Sequence, residues 1–440
     1  MKKRMRLLGV LAFIIATQHI HAQQAVRDTM PLATLQQCVQ YAIRHQPLVQ
    51  QSLIDQQIVE STIKSKLADW YPQINLAANL QHNFQLPASK FGDSVVHIGT
   101  ANTSAAQLQV TQNIFNRDVL LASRTADDVR TQIRQLTEAD KIIVTVSVSQ
   151  AFYSVLLTQK QIELTGEDIK RLQVSIKDAY AQYQAGVVDK IDYKRATILL
   201  NNSLSQLNGQ RDTLKARYST LKLAMGYPDS AYLALQYDST QMQQEINVDT
   251  TQDINFDNRI EFRLLQTQRR LLQANIQYQK LAFLPTVSAF GAYNLNYLNN
   301  KFGNLYNQNF PTSYIGLQLS FPIFQGFKRI ANVKSAELSF QRTEYGVIGL
   351  KDSITNQYEI ALASYKSNLV NYNIYKENLD LATDVYNTLM LQYKAGVKTY
   401  LDVITAEEQL RSAEIGYTNA LYQVLIAKVA VQRALGTIQY

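Results

Sequence analysis

From Gln73 to Leu86, "QINLAANLQHNFQL", apolar and polar residues alternate. Ile74, Leu76, Ala78, Leu80, Phe84 and Leu86 occupy even positions, and Gln73, Asn75, Asn79, Gln81, Asn83 and Gln85 occupy odd ones. Period two predicts a strand with one oily face and one amide-rich face. "AQLQVTQNIF" sets Ala106, Leu108, Val110 and Ile114 against Gln107, Gln109, Thr111 and Asn113. Further along, Val287, Ala289, Tyr293, Leu295 and Tyr297 predict a third strand, and Ile315, Leu317, Leu319, Phe321 and Ile323 a fourth. The four strands are expected over 73–86, 104–115, 286–298 and 313–324.

Each strand pair is preceded by a helical stretch that stops at a proline: Leu32 to Trp70 before Pro72, and Asn258 to Leu284 before Pro285. Proline cannot continue a helix and pushes its predecessor toward extended geometry. Each pair is followed by a much longer helical pattern, Arg117 to Gln182 and Lys328 to Gln392. At 1.5 Å per residue, such a helix extends about 100 Å, too far for a compact domain.

The halves are copies. "YQAGVVDKIDYKRAT", Tyr183 to Thr197, recurs as "YKAGVKTYLDVITAE", Tyr393 to Glu407, at an offset of 210 that holds until Gly226 meets Gly436. A fixed offset of this length means a duplicated unit. In both phrases Gly186 and Gly396 supply a turn before a return helix. The second return helix carries Val403, Ala406, Leu410, Ala413, Tyr417, Ala420, Val424, Ala427, Val431 and Ala434 at alternating steps of three and four, a coiled-coil seam. The first is looser, with Gln210 and Arg217 interrupting it. The organisation expected is therefore a leader over 1–22, a first repeat over 23–226, a connector over 227–257 and a second repeat over 258–440.

The leader, "MKKRMRLLGVLAFIIATQHIHA", has basic residues ahead of a short apolar run and small Ala22 before Gln23, the pattern of a secretory signal peptide. Past it, no apolar run approaches the roughly 18 residues of a spanning helix, so insertion in a membrane would have to use strands. A half-buried sheet of a soluble protein alternates in the same way. In an exported chain, long strands with a non-ionic polar face fit a membrane barrel with a wet lumen. Four strands cannot close one, since the smallest bacterial barrels have about eight, so that reading requires an oligomer.

Charge and chemistry narrow the function. Of the net charge of +8, four positive charges lie in the leader, and the weakly basic remainder does not suggest nucleic-acid binding. Cys38 is the only cysteine, which excludes an intramolecular disulfide, and none stands at the start of the mature chain to take a lipid. The five histidines, His19, His21, His45, His82 and His97, show no metal-ligand spacing, and neither a G-x-S-x-G elbow nor a phosphate-binding glycine loop occurs. No enzyme and no cofactor are expected. The acids of the long helices read as solvated faces. The 26 tyrosines suit membrane-interface girdles and core filling alike.

Taken in order, these features resemble the TolC-like outer-membrane efflux proteins, and the resemblance covers essentially the whole mature chain. Its carriers are "TLQQCVQYAIRHQP", "WYPQINL" and "FLPTVSA" entering the strands, "VTQNIF" and "LSFPIF" leaving them, and the two turn phrases. The resemblance implies a mixed α and β fold. Three chains would give four strands each to a 12-stranded outer-membrane β-barrel, continued by an α-helical coiled-coil barrel across the periplasm. It implies a homotrimer in contact with outer-membrane lipid, docking a periplasmic adaptor and through it an inner-membrane pump. A passive porin would need the strands but not the helices, and a periplasmic coiled-coil scaffold the reverse.

The resemblance also assigns residues. Asp402 in "YLDVIT" matches an acid that narrows the family's periplasmic entrance; the second acid of that pattern is Thr405 here. Tyr393 and Lys398 fall where relatives place a tyrosine and an arginine that latch this turn to the first repeat, and Asp192 falls on their partner acid. Lysine for arginine loses the bidentate geometry. Gly186, Val187, Gly396 and Val397 form the hairpin tips, where an adaptor would touch. Thr399 with Asp402, and Asp189 with Asp192, are also spaced as a helix cap and a first-turn acid, so capping is the competing role for both acids.

Overall fold

The computed structural model describes residues 32–186, 189–236 and 239–440. The predicted leader over 1–22 and the tip residue Val187 lie outside them.

The first helical stretch is two helices, α1 (Leu35–His45) and α2 (Pro47–Leu67), rather than one from Leu32. Gln46 between them is extended, with ψ 126°. Proline forces this, being tolerated at the first helical position but not beyond it. The corresponding helix of the second half, α6 (Ile260–Leu281), has no such break.

β1 (Gln73–His82) stops short of the expected Leu86. Alternation outruns pairing, because its partner β4 (Asn102–Phe115) ends at the His82–Asn102 pair and leaves Phe84 93% exposed. Between β1 and β4 the chain forms an extra hairpin, β2 (Ala88–Phe91) with β3 (Ser94–His97). β5 (Thr286–Asn299) pairs with β6 (Thr312–Ser320). β6 ends before the expected residue 324, because Pro322 intervenes and the chain turns through Gly326 and Phe327, both at positive φ.

The four long strands form one antiparallel sheet in the order β1-β4-β5-β6. Its register carries Ile74, Val110, Gly291 and Ile315 in one cross-strand row and Leu76, Leu108, Tyr293 and Ser313 in the next on the same face. On the other face Asn75, Gln109, Ala292 and Tyr314 align, then Ala77, Gln107, Asn294 and Thr312. The apolar face is open, with Ile315 90% exposed. Among the described residues, both outer strands, β1 and β6, have one unpaired edge.

The long helices run from α3 (Arg117–Gln184) into α4 (Lys190–Met225), and from α7 (Lys328–Lys394) into α8 (Tyr400–Leu435). Beside the sheet, the helices pack in the sequence α2, α3, α6, α7. Farther along, α3 pairs with α4, α7 pairs with α8, and α8 also packs on α3. α3 is long and apolar enough to cross a membrane, contrary to the expectation, but 61% of its most apolar window is buried inside the protein. It is a core helix.

The connector contains α5 (Ser239–Glu245) and a parallel bridge from Leu235 to Ala33. Tyrosines seven residues apart on α7 fasten it. The Tyr365 hydroxyl donates to Ile246 O at 2.9 Å and accepts from Val248 N at 3.1 Å, and the Tyr358 hydroxyl donates to Gln252 O at 3.0 Å. These tyrosines fill core rather than a membrane girdle.

Candidate functional site

The repeated phrases form two hairpin tips that pack on each other. Gly186 and Gly396 have φ of 74° and 76°, and each backbone N–H donates to the tyrosine carbonyl three residues earlier, Tyr183 or Tyr393, at 2.9 Å. That left-handed geometry favours glycine. A small core joins Ala179 of α3, Ala196 of α4, and Tyr400 and Ile404 of α8, with Tyr193 and Tyr393 against it. Val397 is exposed at the tip.

Asp402 is committed to a cap. Its carboxylate accepts from the Thr399 hydroxyl at 2.8 Å and from the Thr399 backbone N–H at 3.0 Å, while Thr399 accepts from Asp402 N in return. These bonds hold the Asp402 carboxyl below its ordinary range. The Thr405 hydroxyl turns back to Leu401 O at 2.9 Å. In the first tip, Asp189 caps α4 by accepting from Ile191 N, and Asp192 lies in the first turn.

Tyr393 does tie the second hairpin to the first, but through a different partner from the one expected. Its hydroxyl donates to Gln182 Oε1 at 3.1 Å. Among the described residues, Asp192 and Lys398 form no ion pair. Gln182 stands in the last turn of α3, where its amide meets the Tyr393 hydroxyl.

Deeper between the hairpins lies a cluster that sequence reading missed. Asp168 and Arg171 of α3 meet Glu407, Arg411 and Glu414 of α8. Asp168 and Glu407 are only 2% and 3% exposed, so not every acid of the long helices is a solvated face. Asp168 Oδ2 accepts from Ser203 of α4 at 2.8 Å and lies 3.7 Å from Arg411 Nη1. Arg171 Nη2 donates to Glu414 Oε2 at 3.3 Å, and Arg411 also donates to Gln206. Glu407 Oε1 is 3.6 Å from Arg171 Nε, yet among the described residues neither Glu407 oxygen has a hydrogen-bond partner. Burial and the neighbouring Asp168 carboxylate push Glu407 up to about 7, against the opposing pull of Arg171. The available signal was Glu407 and Glu414, seven apart, each directly following a seam alanine.

A sheet with an oily and an amide-rich face is thus joined to two paired helical hairpins that carry the tips at their far end. The chain matches the Outer membrane efflux protein family over residues 38–227 and 256–437. The chain belongs to that family. Outer membrane protein TolC of Escherichia coli (strain K12) is 22% identical over 414 residues, covering 92% of this chain and 82% of that protein. Alkaline protease secretion protein AprF of Pseudomonas aeruginosa is 24% identical over 285 residues, covering 64% and 59%. The crystal structure of VceC from Vibrio cholerae superposes with a TM-score of 0.73 at 14% identity, covering 91% of this chain and 96% of VceC. The open state of the MtrE channel of Neisseria gonorrhoeae gives 0.71 at 16% identity, covering 91% and 88%. This efflux family member is thus an outer-membrane protein with the fold of those channels. Its relatives are channels and secretion proteins, in agreement with the reading that no enzymatic site is present.

Proposed function

We propose that the protein is the outer-membrane export duct of a tripartite efflux or secretion system, acting as a homotrimer with a 12-stranded barrel. The observation that carries this reading is that sheet and helix layer end at the same two sides. α2 leads through a short 3-10 turn, Ala68–Trp70, into edge strand β1, and edge strand β6 leads into α7. Exposed Ile54 and Ile58 on α2, and Ile330 and Leu338 on α7, are available at those sides. Joining one chain's α2 and β1 edge to the next chain's α7 and β6 edge would repeat around an axis until it closed. Closure would pair the strand edges and turn the amide face inward and the apolar face to lipid.

The hairpins extend the lumen through the periplasm, and their tips contact an adaptor that couples the duct to an inner-membrane pump. Asp402, repeated around the axis, concentrates negative charge at the entrance in addition to capping α8, and Tyr393 with Gln182 holds the mouth closed. Asp192 and Lys398 are then free for contacts with neighbouring chains. Mass measurement of the detergent-extracted protein is expected to give three chains; a stable monomer with intact strands overturns the architecture. Deletion in the host is expected to raise sensitivity to exported toxic compounds, whereas loss of nutrient uptake alone would establish a passive porin.

A further inference from the structure

We propose that Asp168, Glu407 and Glu414, set against Arg171 and Arg411, form a proton-responsive clasp that ties the second helical hairpin to the first. The groups come from both hairpins. Arg171 on α3 reaches Glu407 and Glu414 on α8, and Arg411 on α8 reaches Asp168 on α3 and both Ser203 and Gln206 on α4. The charge count decides the behaviour. Three carboxylates against two guanidinium groups leave one buried negative charge without a counter-charge, and a single proton removes the imbalance.

The proton resides on Glu407. Its two oxygens lack hydrogen-bond donors, whereas Asp168 accepts from Ser203 and Glu414 accepts from Arg171. An ionised carboxylate without donors in a buried site is strongly disfavoured. Burial also shifts Glu414 upward, but Glu414 keeps the bond from Arg171 that Glu407 lacks, and the remaining groups do not take the proton. Glu408 and Glu167 add further negative charge nearby, and Tyr386 of α7 and Tyr400 of α8 have hydroxyls shifted upward by burial, so they stay neutral. The described histidines, His45, His82 and His97, lie on α1, β1 and β3.

The direction follows from linkage. Glu407 binds its proton more tightly with the hairpins packed than with them apart, so the clasp is firmest in mild acid. It loosens as pH rises from the ordinary glutamate range toward about 7 and changes little beyond. Its bearing on transport rests on the duct reading above, where separation of the hairpins would widen the tunnel.

Hydrogen exchange of the full-length detergent-solubilised protein between pH 6 and 8 tests this, read at residues 165–175 and 403–414. After correction for intrinsic exchange, protection in the parent should fall by about tenfold, the limit for one proton over one pH unit. Glu407→Gln should keep the acidic level of protection across the range. Asp168→Asn, which removes the repelling carboxylate, should move the midpoint to lower pH. Constant protection in the parent, or an unchanged slope in Glu407→Gln together with an unmoved midpoint in Asp168→Asn, overturns the clasp. In planar bilayers, conductance of the parent should rise with pH while that of Glu407→Gln does not. A protein that shows the exchange behaviour but no conductance retains the clasp and loses the duct.

Discussion

A Cβ on Gly436 would stand 2.5 Å from the carbonyl oxygen of Asn258. Gly226 has the same relation to the first repeat, where a Cβ would meet Gln46 Cα at 2.8 Å. Both glycines are left-handed caps, of α8 and α4, pressed on the start of their own repeat's shorter helix. Gly396 is equally left-handed, but among the described residues nothing lies within 4 Å of a Cβ placed there. Gly436→Ala should therefore lose more stability than Gly396→Ala. The latter should cost about 1 kcal/mol, the penalty for left-handed backbone, and the former measurably more because backbone blocks the methyl. Denaturation midpoints of the two variants provide the comparison, and equal losses would show that the contact gives way freely.

Capping and entrance charge at Asp402 can be separated. Thr399→Ala removes the hydroxyl that both donates to and accepts from Asp402, and should cost about 1 kcal/mol, as for other lost N-caps. Asp402→Asn keeps a capping side chain but removes the negative charge. In planar bilayers only Asp402→Asn should weaken cation selectivity if the carboxylate lines the entrance, whereas matching effects of the two variants would reduce its role to capping. The Asp402 carboxyl is held below its ordinary value by Thr399. Its stabilising contribution is thus present above pH 4 or so and is lost as pH falls through the folded value.

Tyr365→Phe strips two backbone partners, Ile246 O and Val248 N, of one hydroxyl. A buried polar group left unmatched costs about 1–3 kcal/mol. Limited proteolysis should open the connector near residues 246–252 in this variant, with the sheet and hairpin tips unaffected. Tyr358→Phe, which loses only the bond to Gln252 O, should have a smaller effect.

The two faces of the sheet should tolerate charge differently. Ile315→Lys lies on the apolar face and Gln109→Lys on the amide face, in adjoining rows. A lysine facing lipid at mid-depth costs about 2–4 kcal/mol, while one in a lumen is solvated. The yield of detergent-extracted assembled protein should fall for Ile315→Lys and hold for Gln109→Lys. The opposite ranking would mean that the sheet is turned the other way.

The alternating pattern of Gln73 to His82 and of Ala106 to Phe115, and the 210-residue repeat, were sufficient by themselves to specify the strands, the hairpins and their common origin. Period two fixes which side chains share a face, and the glycine of each tip marks a left-handed turn wherever the rest of the chain lies. Strand ends were less legible, because alternation continues past His82 after its partner has run out. The extra hairpin of Ala88–Phe91 and Ser94–His97 is too short to produce a period. Partner choice was decided only in three dimensions. Tyr393 bonds Gln182 rather than Asp192, and Glu407 is buried beside Asp168 although an isolated helix with this pattern would present it to water. Both outcomes depend on how two hairpins pack across more than about 200 residues of sequence, and no local periodicity encodes that distance.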